Sequence, residues 1–111
     1  MGTHRIDKLQ GEILKEVRMI LLFVLDIPAL QQIALTRVLL TKDLSLARVY
    51  YETILPDQRR DGLQEELDRQ GKRIRKELAQ RMRVRAVPEV RFFYDETNET
   101  ISKVEKLIDS L

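Results

Sequence analysis

The sequence predicts one α+β domain in which helices cover one face of a three-stranded sheet. Three observations support this. Apolar residues recur at helical spacing near the N-terminus, and three short runs further on are β-like. A third is a pair of helical segments between the second and third runs. A single layer of helices packed on the sheet would bury the apolar side of each of these elements. At 111 residues the chain suits one such core, which predicts a single domain over residues 1–111.

The first element is a long helix, predicted over Arg5–Val24 and ended by the Asp26-Ile27-Pro28 phrase. Two strands follow, Ile33–Thr41 and Leu46–Ile54, and the short connection between them predicts an antiparallel hairpin. Alternation places three polar side chains on the open face of the sheet, namely Arg37, Arg48 and Glu52.

The second half of the chain predicts a short helix over Leu63–Gln70, an interruption at Gly71, and a second helix over Lys72–Val84. Pro88 then opens a third strand, Glu89–Asp95. Residues Asn98–Leu111 carry apolar side chains at helical spacing, which predicts a last, C-terminal helix.

Positive charge is concentrated in residues 72–91, which hold eight basic and two acidic side chains in a protein of net charge +2. On a helical projection, Ile74, Leu78 and Met82 share one side, and the basic residues lie roughly opposite. A basic face of this kind is typical of a polyanion site, and nucleic acid is the commonest large polyanion. The alternative is a solvated helix face with ordinary salt bridges.

The residue inventory argues against an enzyme. There is no cysteine and only one histidine, His4, and no phosphate-binding glycine loop occurs. We therefore expect no catalytic residues, no metal and no cofactor, and a small enzyme acting on a nucleotide is a weak hypothesis. The longest apolar run, Met19–Leu25, is far shorter than the ~20 residues that span a bilayer. We expect a cytoplasmic protein without a membrane segment.

The aromatic residues have two interpretations. They could stack on unpaired bases, but we favour a core position for Phe92 and Tyr50. Arg37 and Arg48 are secondary candidates for phosphate contact, with pairing to Glu52 as the alternative.

Two long stretches are more specific. In Leu40–Ile54 (LTKDLSLARVYYETI) a Lys-Asp-Leu turn leads into an Ala-Arg-Val-Tyr strand. Arg69–Thr97 (RQGKRIRKELAQRMRVRAVPEVRFFYDET) combines a Gly-x-x-Ile-Arg start with an Arg-Val-Arg-x-Val-Pro-Glu-Val-x-Phe finish. In this order they resemble the ribosome-binding factor A family over nearly the whole chain.

The resemblance implies a KH-like type II fold, with the order helix, strand, strand, helix, kink, helix, strand. That family lacks the G-x-x-G loop of ordinary KH domains, and this sequence lacks it too. The family instead has an Ala-x-Gly phrase at a helix kink. Here the phrase is Arg69-Gln70-Gly71, so arginine replaces alanine and adds a positive charge there.

The resemblance also implies a function. Members are non-enzymatic assembly factors that bind the small (30S) ribosomal subunit and its 16S rRNA. They assist late maturation and processing of the 5′ end of precursor 16S rRNA, matter most in the cold, and work beside assembly GTPases. A monomer is the default expectation.

We therefore expect RNA binding through the basic helix and the segment after it. The candidate phosphate contacts are Lys72, Arg73, Lys76, Arg83 and Arg85, with Arg75, Arg81 and Arg37 in support. The alternative is a KH-like protein-interaction module without RNA binding, which would use the open sheet edge and the acidic terminal helix.

Overall fold

The computed structural model describes residues 2–97, with side chains from residue 5 onward. Up to the third strand the elements follow the predicted order, except that one helix stands where two were predicted. The C-terminal helix predicted over Asn98–Leu111 lies outside the described residues. The elements are α1 (Gly2–Met19), a π-helical turn (Ile20–Val24), a 3₁₀ turn (Pro28–Gln32), β1 (Ile33–Leu40), β2 (Leu46–Thr53), α2 (Asp57–Arg81) and β3 (Glu89–Tyr94).

The sheet is mixed and has the order β1-β2-β3. Strands β1 and β2 are antiparallel, which confirms the predicted hairpin, whereas β2 and β3 are parallel. Parallel neighbours need a long crossover, and α2 supplies it. Helices α1 and α2 therefore lie on one face of the sheet, and no element among the described residues covers the other face, which we call the open face.

A β-bulge in β1 changes which residues reach the core. The pairing of β1 with β2 shifts between Leu35 and Arg37, so that the buried residues of β1, Leu35 and Val38, are three apart rather than two. The bulge leaves Arg37 opposite Tyr50 on the open face.

Helix α2 corrects the prediction of two helices separated at Gly71. It is continuous from Asp57 to Arg81, so Arg69, Gln70 and Gly71 are interior helical residues and the interruption is wrong. Its buried residues keep helical spacing across the glycine; they are Leu63, Leu67, Ile74 and Leu78. A glycine costs a helix about 1 kcal/mol, and burial of this stripe outweighs that cost.

The core is formed by the inner faces of α1, α2 and the sheet. Ile13 and Val17 of α1, Val49 of β2 and Leu78 of α2 have no exposed surface. Phe92 is buried, as predicted, whereas Tyr50 is only half-buried on the open face, so the core prediction for Tyr50 is wrong. Within residues 2–97, no helix has both the length and the apolar character needed to cross a bilayer.

Candidate nucleic-acid interface

The C-terminal half of α2 and the segment after it, residues 82–88, form a basic cleft that we call the α2 cleft. Its volume is about 510 Å³. The charged lining comes from Lys72, Arg75, Lys76 and Arg85, and Ala79, Val84 and Val87 complete the wall. The helix places Lys72 and Lys76 one turn apart, on the side away from the buried stripe. A cleft lined in this way suits an anionic ligand.

Arg75 has a structural role in this cleft. Its Nε and Nη2 atoms donate hydrogen bonds to the backbone oxygen of Val87, at 3.2 and 3.0 Å. These two bonds hold the segment 82–88 against α2. Arg75 therefore positions the wall of the cleft, and its donors are partly used before any ligand arrives.

Arg81 is also engaged. Its Nη1 atom lies 3.5 Å from Oε2 of Glu16, which joins the end of α2 to α1. Both side chains are about a third exposed or less, so solvent screens this pair only in part. Arg81 helps to fix α2 on α1 and is a weaker candidate for phosphate contact than the sequence indicated.

The other five predicted phosphate contacts are exposed. None of them forms an ion pair with any residue in the described part of the chain. Among the described residues these side chains can therefore contact a polyanion without first breaking a salt bridge. These residues, called the free cations below, are Lys72, Arg73, Lys76, Arg83 and Arg85.

Arg37 does not belong to this group. It lies on the open face of the sheet, on the side opposite to α2, with its guanidinium carbon 4.2 Å from the centre of the Tyr50 ring. Its Nε atom is 3.7 Å from Oδ2 of Asp95, and the Tyr50 ring in turn lies 5.8 Å from that of Phe93. The arrangement is a cation–π stack on the sheet, remote from the α2 cleft.

Sequence reasoning missed several basic residues. Arg83 and Arg85 also line a second and larger cleft, of about 710 Å³, together with Arg5, Lys8 and Lys42. These three residues lie in the first helix and in the hairpin turn, distant in sequence from α2. No local pattern marks them, and only the tertiary fold brings them to the same place.

Catalytic machinery is not evident in this region. Among the described residues, no group of three or more histidine, cysteine, aspartate or glutamate side chains is arranged to hold a metal ion. The chemistry that the site supports is electrostatic contact with an anion.

The fold and this surface define a small KH-like α+β domain with a polyanion-compatible face. The sequence profile of the family described as ribosome-binding factor A matches residues 5–108. The chain therefore belongs to the ribosome-binding factor A family.

Individual relatives agree with this assignment. The ribosome-binding factor A of Lactobacillus acidophilus is 36% identical over 95% of this chain and 88% of its own length. The crystal structure of ribosome-binding factor A from Thermus thermophilus superposes with a TM-score of 0.70 and 26% identity, covering 80% of this chain and 94% of that one. A T. thermophilus homology model of this factor, fitted into the cryo-EM map of a 30S complex with it, gives a TM-score of 0.65 and 25% identity over 79% and 92% of the two chains.

Proposed function

We propose that the protein is a cytoplasmic, non-enzymatic assembly factor that binds the small (30S) ribosomal subunit through its 16S rRNA. The observation that carries the proposal is the cluster of free cations on α2 and the segment 82–88. Family membership supplies the partner, since a relative of similar fold has been fitted into the map of a 30S complex. In this role the protein assists late maturation and processing of the 5′ end of precursor 16S rRNA.

The mechanism is shape-directed binding of the RNA backbone. Lysine and arginine contacts to phosphates position a protein without reading the sequence, so specificity comes from the form of the ribosomal site. The domain assists maturation by binding one conformation of the particle more tightly than another. It acts as a monomer, and assembly GTPases release it once the favoured conformation is lost.

Co-sedimentation with small subunits across a salt titration tests the proposal. The test variant combines Lys76→Gln and Arg85→Gln, and the matched control is Lys15→Gln, which removes an exposed charge on α1 outside both clefts. Each lost phosphate contact lowers the slope of log affinity against log salt by about 0.7 to 0.9. At about 0.1 M salt, two lost contacts therefore reduce affinity roughly 25- to 60-fold.

Two outcomes contradict the proposal. One is a folded double variant that binds small subunits as tightly as the Lys15→Gln control. The other is binding to subunits with no binding to protein-free 16S rRNA, which would favour the protein-interaction module instead.

A further inference from the structure

The second cleft, which we call the hairpin cleft, lies between the start of α1, the β1–β2 turn and the segment 82–88. Its charged lining has five basic side chains and only two acidic ones, Glu12 and Asp43. Within the described residues, none of the five basic side chains has an ion-pair partner. The five are Arg5, Lys8, Lys42, Arg83 and Arg85.

Asp43 is engaged by its own turn. Its Oδ1 atom accepts hydrogen bonds from the Ser45 hydroxyl at 2.7 Å, the Thr41 hydroxyl at 2.8 Å and the Ser45 backbone N–H at 3.1 Å. These bonds, the Ser45 hydroxyl first, lower the pKa of Asp43 and keep it ionised. Leu44 completes the turn at a φ of 61°. The turn is thus a fixed loop that holds the neighbouring Lys42 at the rim of the cleft.

Helix α1 is fixed beside the same turn. The side-chain oxygen of Gln10 accepts a hydrogen bond from the backbone N–H of Leu40, at 2.9 Å. This bond joins the second and third turns of α1 to the end of β1, next to the hairpin. Lys8 and Lys42 therefore project from elements that are linked to each other, so the backbone positions that carry these two charges are fixed before a ligand binds.

The two clefts adjoin each other. Val84 and Arg85 line both of them, so the segment 82–88 forms their common wall. A ligand that spans both clefts meets Lys72 and Lys76, then Arg85, and finally Lys8 and Lys42, none of which has an ion-pair partner among the described residues. The hairpin cleft also has apolar lining, which includes Leu9, Leu44 and Pro88. Such a surface is suited to contact with ribose and bases between phosphates.

We propose that the hairpin cleft is a second phosphate-binding site for the same RNA strand that occupies the α2 cleft. The inference rests on the proposed function and extends it to α1 and the hairpin turn. An RNA backbone carries one charge per nucleotide and matches a row of separated cations, each without an acidic partner among the described residues. Arg85 is the junction between the two halves of this path.

The test is a Lys8→Gln, Lys42→Gln double variant, compared with Lys15→Gln as the control. Binding is measured to protein-free 16S rRNA and to small subunits over a salt series, and urea unfolding verifies that each variant is folded. We expect the salt slope to fall by about 1.4 to 1.8 and affinity at about 0.1 M salt to fall roughly 25- to 60-fold for both ligands. The Lys15→Gln control retains wild-type behaviour.

The outcomes distinguish this proposal from the one on which it rests. If a Lys72→Gln, Lys76→Gln variant, which alters the α2 cleft and leaves the lining of the hairpin cleft intact, loses affinity and Lys8→Gln, Lys42→Gln does not, the hairpin cleft is not a phosphate site, although the proposed function stands. Loss of subunit binding with unchanged rRNA binding also overturns it, because the cleft then holds a protein. Failure of the wild-type protein to bind rRNA or subunits overturns the proposed function itself.

Discussion

Asp95 is a buried carboxylate at the end of β3, and its contribution to stability depends on its charge. The residue is only 7% exposed. Its Oδ2 atom accepts a hydrogen bond from the Thr36 hydroxyl at 2.6 Å, and its Oδ1 atom accepts one from the Thr97 backbone N–H at 3.0 Å. Arg37 lies beside it at 3.7 Å. Asp95 therefore joins the bulge of β1 to the end of β3.

These contacts lower the pKa of Asp95 from 3.8 to about 2, with the Thr36 hydroxyl as the largest cause, followed by the hydroxyl and backbone N–H of Thr97. Because the folded-state pKa lies below the unfolded-state value, ionisation of Asp95 stabilises the fold above the unfolded pKa. That stabilisation is lost as the pH falls from about 5 to about 2. A shift of this size corresponds to about 2 kcal/mol in the free energy of unfolding.

Asp95→Asn keeps the shape of the side chain and removes its charge. We expect it to lower the free energy of unfolding at neutral pH by about 2 kcal/mol and to bring the variant and wild type together near pH 2. Urea unfolding at a series of pH values measures both effects, and Glu96→Gln, at the exposed neighbouring position, is the control. A difference between wild type and Asp95→Asn that stays constant from pH 7 to pH 2 would refute the reasoning.

Two further predictions concern α2. Gly71→Ala should raise the free energy of unfolding by about 0.5 to 1 kcal/mol in urea unfolding, because the helix is continuous and the added Cβ makes an ordinary contact of 3.6 Å with a backbone oxygen. Gly62→Ala, in open space on the same helix, is its control, and destabilisation at position 71 alone would indicate that a kink is required. Arg75→Met should speed amide hydrogen exchange in the loop after α2 because two hydrogen bonds to it are lost. Lys76→Met should leave this exchange unchanged; equal rates in the two variants would exclude the positioning role.

The order and type of the elements were predictable from local pattern. Apolar residues at helical spacing indicate a helix, and apolar residues at alternate positions indicate a strand. These two patterns were sufficient to predict α1 and all three strands. The interruption at Gly71 was wrong because glycine is a weak local signal. The seven-residue step from Leu67 to Ile74 is two helical turns, and this longer pattern already indicated one helix.

The composition of the site was only partly predictable, because a sequence gives the charge of a residue but not its partner. The partners of Arg75, Arg81 and Arg37 are a backbone oxygen, a glutamate on another helix and an aspartate after the last strand. Lys8 and Lys42 were missed for the corresponding reason, since their neighbours are distant in sequence. Prediction of such contacts requires the arrangement of the elements in space.

The basic residues of α2 and of the segment 82–88 fall into two groups. Arg75 and Arg81 are bonded to other parts of the protein, and the free cations have no ion-pair partner among the described residues. An arginine that already contacts an acid must give up that contact to bind a phosphate, so the exchange yields little free energy. A cation without an acidic partner in the described residues exchanges only water and counterions, and its contact with a phosphate is a net gain. Arg75 therefore holds the segment 82–88 against α2 and Arg81 holds α2 on α1, whereas under the proposed function we expect the free cations to supply the affinity for RNA. The excess of six positive charges in residues 72–91 therefore overstates the charge that is free to contact a phosphate. Part of that charge belongs to Arg75 and Arg81, which already have partners within the protein.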